Sequence, residues 1–251
     1  MKRIIYLDNN ATTQMAPEVI QALRETENVY GNPSSMHMLG RQADQYIENA
    51  RENLAKLINC NKGGIIFNAG ATEGNNTVFH IANQLIKEGK GKRILTTTIE
   101  HPAIVETVKY LRKEGIQIDN IPVDEQGRVK EAEYKKLLGK DVVLVSIMAG
   151  NNETGTIQDI EKFSRLAHEV GALFHTDATQ AIGKIPVDCK VWDIDYLTLS
   201  GHKFYGPKGV GALYVKAGAP KKTFLNGGHQ ENGNRAGTYN TQAIYGMGIA
   251  A

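Results

Sequence analysis

The chain has 251 residues, a net charge of +2, two cysteines and 41% hydrophobic residues. That length can bury one sizeable core, and the near-balanced charge, with no basic stripe, excludes an electrostatic nucleic-acid binder. No apolar run approaches membrane-spanning length. Two cysteines without a pairing pattern and no recognisable signal peptide lead us to expect a cytosolic protein.

A strand-like run at residues 4–7 comes first. Pro17 opens a short helix through residue 23, and a longer one covers residues 39–58, with Ala43, Ile47, Ala50, Leu54 and Leu57 on one face. The apolar run Ile65-Ile66-Phe67 then enters a small-residue turn and a helix with Val78, Ile81, Ala82, Leu85 and Ile86 at helical spacing. A strand at 93–97 is followed by a helix lined by Ile104, Val108 and Leu111, which Gly115 terminates. An extended run at 116–123, a helix at 131–138 and a strand at 142–148 come next. Ile160, Phe163, Ala167 and Val170 line another helix, stopped by Gly171. The last strands are 172–176, 196–200 and 211–215. Such alternation predicts an α/β fold, a mostly parallel sheet with helices on both faces. The basic stretch 87–93 reads as a solvated loop. No repeat, linker or low-complexity tract divides the chain.

Lys203 follows the strand at 196–200, in Ser200-Gly201-His202-Lys203-Phe204-Tyr205-Gly206-Pro207. An ammonium at the inner end of a buried strand is costly unless its pKa falls or it finds a partner. One use suits that place: a neutral amine that forms a Schiff base with an aldehyde cofactor such as pyridoxal phosphate. A surface lysine in a turn is the alternative. That cofactor needs a carboxylate at its pyridinium nitrogen, a phosphate cradle, and groups over its ring and at its phenolic oxygen. Asp177, ending the strand in His175-Thr176-Asp177-Ala178-Thr179-Gln180, suits the pyridinium, or caps a following helix. Gln180 can donate to the phenolic oxygen. The helix N-terminus at Gly70-Ala71-Thr72-Glu73 makes an anion site, or a plain strand–helix turn capped by Thr72. His101, in Glu100-His101-Pro102, can lie over the ring, or be an ordinary polar residue at a strand end. Asn152, in Asn151-Asn152-Glu153-Thr154-Gly155, can reach the phenolic oxygen, or serve turn geometry. Every candidate lies at the carboxyl end of a predicted strand, where open α/β sheets bind ligands.

These segments resemble the fold-type I pyridoxal phosphate enzymes of the class V aminotransferase group, specifically the NifS/IscS cysteine desulfurases. Tyr6-Leu7-Asp8-Asn9-Asn10-Ala11-Thr12-Thr13, Gly31-Asn32-Pro33-Ser34-Ser35-Met36-His37 and Gly227-Gly228-His229-Gln230-Glu231 complete the set, in the family's order. The resemblance implies conversion of L-cysteine to L-alanine, with the sulfur passed as an enzyme-bound persulfide to an acceptor or scaffold protein, as in Fe–S cluster assembly. Lys203 would carry the Schiff base and Asp177 would pair with the pyridinium nitrogen. His101 would stack on the ring and move protons, and Gln180 and Asn152 would contact the phenolic oxygen. Ala71 would lie at the cofactor, and Thr72, Ser200 and His202 would hold its phosphate. Thr238, in Arg235-Ala236-Gly237-Thr238, would reach the phosphate of a neighbouring subunit, implying a homodimer. No metal site is expected.

The chain also departs from the family pattern. Asn232 stands where relatives commonly carry arginine, and Tyr239 where they carry an acid. The chain ends at Ala251, soon after the Gly-Gly-His-Gln-Glu segment. The resemblance therefore implies an N-terminal arm at 1–15, a cofactor-binding large domain at 16–251, and absence of the C-terminal part. That part would carry the nucleophilic cysteine and the arginine for the substrate carboxylate. Cys60 and Cys189 lie away from any motif and read as structural. A catalytically inert protein that binds the cofactor or partners, and a related selenocysteine lyase or aminotransferase, stay open as alternatives.

Overall fold

Seven strands run side by side in the order β1-β7-β6-β5-β4-β2-β3 in the computed structural model, which describes residues 5–251. They are β1 (Ile65–Asn68), β2 (Arg93–Thr97), β3 (Gln117–Ile121), β4 (Val142–Ser146), β5 (Leu173–Asp177), β6 (Tyr196–Ser200) and β7 (Gly211–Val215). Only β7 runs against its neighbours; β6, β5, β4, β2 and β3 pair in parallel. The carboxyl ends of β1, β2, β4, β5 and β6 therefore gather on one edge of the sheet.

Alternating side chains of the strands serve two cores, as a period of two requires. Ile66, Ile94, Tyr196, Leu213 and Val215 face α3 (Ala71–Lys87) and α4 (Pro102–Lys113). Phe67, Leu95, Leu197, Leu199 and Tyr214 face α2 (Met38–Leu57), α5 (Glu131–Leu137), α6 (Ile160–Glu169) and α7 (Thr241–Ala250). Helices thus cover both faces, and α1 (Pro17–Glu25) packs on α7. Among the described residues, no helix is long and apolar enough to cross a membrane.

Most predicted elements fall within a few residues of their places. The strand read through residue 148 ends at Ser146, although Ile147 and Ala149 still donate to the carbonyls of His175 and Asp177. The strand-like run at 4–7 does not form a strand: Ile5 and Leu7 are exposed, and residue 4 lies outside the described residues. A four-residue apolar run cannot separate a paired strand from an extended segment. Helix α7 was not predicted. It is apolar on nearly all sides, so it lacks the polar face that makes a helix legible.

Candidate active site

Asp177 closes β5 with its side chain 4% exposed. No helix follows it, so it is not a helix cap; its Oδ1 accepts the Thr179 N–H at 3.0 Å within a turn. Its Oδ2 accepts from Asn75 Nδ2 at 2.6 Å, across from α3. Two residues earlier on the same face, His175 is fully buried between Ser146 Oγ (2.9 Å) and Thr198 Oγ1 (3.1 Å). Burial pulls its imidazole down to about 4 despite the nearby Asp177 carboxylate, so it is neutral at physiological pH.

Lys203 ends the short 3₁₀ turn after β6. Its Nζ donates to the carbonyls of Asn10 (2.5 Å) and Ala11 (2.9 Å). Both acceptors are neutral, and burial lowers the ammonium pKa below the usual lysine range against the opposing fields of Asp177 and Asp8. The arm is fastened to this turn: Thr13 N–H and Oγ1 both donate to the His202 carbonyl at 2.9 Å, and Tyr205 N–H donates to Thr13 Oγ1 at 2.7 Å. Asn10 also reaches across the site, donating to the Asn152 carbonyl and accepting from Gln180 Nε2. The arm carbonyls of Asn10 and Ala11 carry no sequence signal, because any residue supplies one.

The strand β1 enters α3 through Gly70, whose φ of +144° favours glycine. The first intrahelical bond runs from Gly74 N–H to Gly70 O, so the N–H groups of Ala71, Thr72 and Glu73 precede it. Thr72 does not cap the helix. Instead Glu73 Oε2 accepts from Ala69 N–H and Asn68 Oδ1 from Gly70 N–H. Gly211 of β7 lies directly behind: a Cβ there would meet Leu199 O at 2.5 Å and Gly70 Cα at 2.7 Å. A cavity of about 860 Å³ opens over this turn, lined among others by Ala71, Thr72, Ser200, His202 and Lys208. His202 Nδ1 meets Thr12 Oγ1 at 3.1 Å; burial, then Lys203 and Lys208, lower its pKa. A neutral imidazole beside hydroxyls and helix N–H groups suits an anion.

A second cavity of about 290 Å³ shares Ala11, Ala71 and His202 with the first, and His101, Asn152, Asp177, Gln180 and Lys203 line it together. His101 has a structural task as well, since its Nδ1 accepts from Ala103 N–H as the cap of α4. In the asparagine turn, Asn151 shapes the backbone, its Oδ1 accepting from the N–H groups of Glu153 and Thr154. Asn152 is left half-buried against the cavity. Thr238 is not brought to this group: it is exposed and lines a different cavity with Tyr239 and Asn240. Two buried residues escaped the sequence reading. Asn75 stands three residues before Val78 in the sheet-facing stripe of α3, a polar residue in an apolar row. Glu100, beside His101, accepts from Thr97 Oγ1 (2.6 Å) and Met148 N–H (3.0 Å), and burial pushes its carboxyl up to about 8.

Cys60 and Cys189 lie at the opposite, amino-terminal edge of β1 and β6. Cys189 N–H donates to the Ile58 carbonyl; Cys189 is buried in the core, and Cys60 packs partly buried against the same cluster. Burial pushes the Cys60 thiol up to about 12 and raises that of Cys189 as well, so neither is a thiolate.

Residues 5–251 match the family model described as Aminotransferase class-V. The chain is 46% identical over 252 residues to a protein named cysteine desulfurase IscS from Dictyoglomus turgidum, covering 100% of this chain and 64% of that one. It is 44% identical over 250 residues to cysteine desulfurase NifS of Azotobacter vinelandii, covering 98% of this chain and 61% of the relative. The chain thus spans somewhat under two thirds of these relatives. A solved NifS-like protein superposes with a TM-score of 0.95 at 42% identity, covering 99% of this chain and 69% of the other. A structure described as SspA in complex with cysteine gives 0.93 at 33% identity, with 98% and 72% covered. The sheet order, the ligand edge and these matches agree, and the chain belongs to the class-V aminotransferase family.

Proposed function

We propose that this chain holds pyridoxal 5′-phosphate across the carboxyl ends of β1, β2, β4, β5 and β6 and serves a cysteine desulfurase. The observation that carries the reading is the single 290 Å³ cavity lined at once by Lys203, Asp177, His101, Gln180 and Asn152, adjoining an anion cradle. The donor set fits the cofactor: a half-buried lysine held by backbone carbonyls, a buried carboxylate, and free helix N–H groups beside two hydroxyls. Bound there, the cofactor supplies an aldehyde for amine attack and an electron-withdrawing ring.

The chain's own residues divide the work. Lys203 offers a desolvated amine, and its lowered pKa raises the neutral fraction that can attack. Asp177 holds the proton of the ring nitrogen. His101, which lines the same cavity, would lie over the ring and move protons at the substrate carbon. Gln180 and Asn152 steady the phenolic oxygen. Ala71, Thr72, Ser200, His202 and the first N–H groups of α3 take the phosphate. Thr238, exposed on a separate surface, would reach the phosphate of a second copy in a homodimer. Residues 1–15 are the arm, of which Asn10 and Ala11 accept from Lys203 Nζ and Thr13 bonds the His202 carbonyl, and 16–251 form the large cofactor domain.

L-cysteine is the substrate on this reading, in line with the names of the relatives and with the SspA structure described as a complex with cysteine. The sulfur passes to an acceptor protein, and the location is cytosolic, supported by two unpaired cysteines. Sulfur abstraction needs a thiolate, and among the described residues no cysteine lines either cavity. That observation favours a second reading for these residues, cofactor binding without cysteine turnover. Reconstitution separates the possibilities. The protein with pyridoxal phosphate should gain a visible absorption band, absent in Lys203→Ala, and borohydride should fix the label on Lys203. A colourless but folded protein, or label on another lysine, rejects the site. Cofactor-dependent sulfide release from cysteine decides between turnover and binding alone.

A further inference from the structure

We propose that Asn75 is the positioning residue that presents Asp177 to the cofactor ring as an oriented carboxylate, an inference that rests on the pyridoxal phosphate reading above. Asn75 is fully buried on the sheet-facing side of α3, in line with Val78, Phe79 and Ala82. An apolar side chain is the ordinary occupant of such a place. Here the amide donates to Asp177 Oδ2 at 2.6 Å, a short contact of the kind that ionised acceptors make. Asp177 Oδ1 is held by the Thr179 N–H at 3.0 Å. Each carboxylate oxygen therefore has one donor from the protein, and one side chain, Asn75, supplies half of that pair. Asp177 forms no ion pair with a lysine, arginine or histidine among the described residues.

The other end of the amide strengthens the point. Asn75 Oδ1 is buried and has no hydrogen-bond partner among the described residues. Leaving a buried acceptor unpaired is unfavourable. Turning the amide over would be worse, because its oxygen would then face the carboxylate. The orientation is set by the charge of Asp177, and the unpaired oxygen is the cost of keeping the donor there. With both oxygens pinned, the carboxylate keeps one geometry, and its remaining lone pairs are open to a protonated ring nitrogen.

The test uses Asn75→Leu, similar in shape but without the donor, and Asn75→Ala as a second variant should leucine not fold. Each is reconstituted with pyridoxal phosphate labelled with ¹⁵N in the ring. The readouts are cofactor affinity and the ring-nitrogen chemical shift, which reports its protonation directly. Both variants should bind about tenfold or more weakly, with the ring-nitrogen signal moved toward the unprotonated value. In an Asp177→Asn background the Asn75 substitutions should change affinity by less than about twofold, since the carboxylate that Asn75 orients toward the ring nitrogen is already lost. An unmoved ring-nitrogen signal, or an equal loss of affinity in the Asp177→Asn background, would show that Asn75 only fills space. Failure of the unsubstituted protein to bind the cofactor would overturn the underlying reading, and this proposal with it.

Discussion

Arg51 and Glu231, 180 residues apart in the chain, meet face to face through two parallel hydrogen bonds, Nη1 to Oε2 at 2.9 Å and Nη2 to Oε1 at 2.8 Å. The pair ties α2 to β1 and to the Gly-Gly-His-Gln-Glu segment. Arg51 Nη1 also donates to the Ile65 carbonyl, its guanidinium lies 4.7 Å from the centre of the Phe67 ring, and Glu231 Oε2 accepts from Phe67 N–H. Both side chains are nearly buried. Removing one partner strands the other charge, so Glu231→Ala should cost about 3–5 kcal/mol. Urea unfolding measures it. A loss below about 1 kcal/mol would mean that solvent screens the pair as it does at a surface.

Glu100 makes stability depend on pH. Its folded pKa, about 8, stands above the ordinary 4.5, chiefly through burial, so the folded state binds the proton more tightly. Its contribution is complete below pH 4.5 and is lost as the pH rises through about 8. Glu100→Gln keeps an acceptor for Thr97 and Met148 and cannot ionise. Its melting temperature relative to the parent should therefore climb from pH 5 to about pH 8 and level off above that. A constant difference over that range would show that Glu100 does not titrate there.

At the opposite edge of the sheet, His168 Nε2 meets Asp195 Oδ2 at 2.8 Å and Nδ1 meets Asp193 Oδ2 at 3.3 Å. The bond to Asp195 is the main cause that raises its pKa above 6.5, against burial and Lys216. A raised histidine stabilises fully below 6.5 and loses that contribution as the pH rises through its folded value. His168→Gln should cost up to about 1 kcal/mol at pH 6 and less at pH 9. Denaturant midpoints at the two values test it; an equal or larger loss at pH 9 would contradict the assignment.

Gly211→Ala should disturb the anion cradle from behind. The new Cβ would stand 2.5 Å from Leu199 O, 2.7 Å from Gly70 Cα and 2.9 Å from Asn68 Oδ1. Two of these are backbone atoms, so the strand or the turn must shift. We expect a loss of about 1–3 kcal/mol and weaker pyridoxal phosphate binding. Unchanged stability and unchanged affinity would show that β7 yields freely at this point.

The local sequence determined most of the strands and helices and the side chains that end them, α7 and the run at 4–7 excepted. The strand into Asp177, the turn at Gly70 and the lysine after Ser200 were each legible, because periodicity and turn chemistry are short-range properties. Their shared position followed from one rule about parallel sheets. The partners that tune those residues were not legible. Asn75 reaches Asp177 across 102 positions, Asn10 reaches Lys203 across 193, and Arg51 reaches Glu231 across 180. Such pairings depend on how α3, the arm and α2 dock on the sheet, and a hydrogen bond leaves no mark on the spacing of either partner. The arm shows the same limit. Nothing in the spacing of its residues marks Thr13 as buried, with its backbone bound to the lysine turn. Helix α7 was hidden for the opposite reason. Packed against α1, α2 and the turn after β6, with Ala243, Ile244 and Met247 in the core, it shows little polar face, and only the tertiary structure supplies the walls that make an apolar decapeptide a helix.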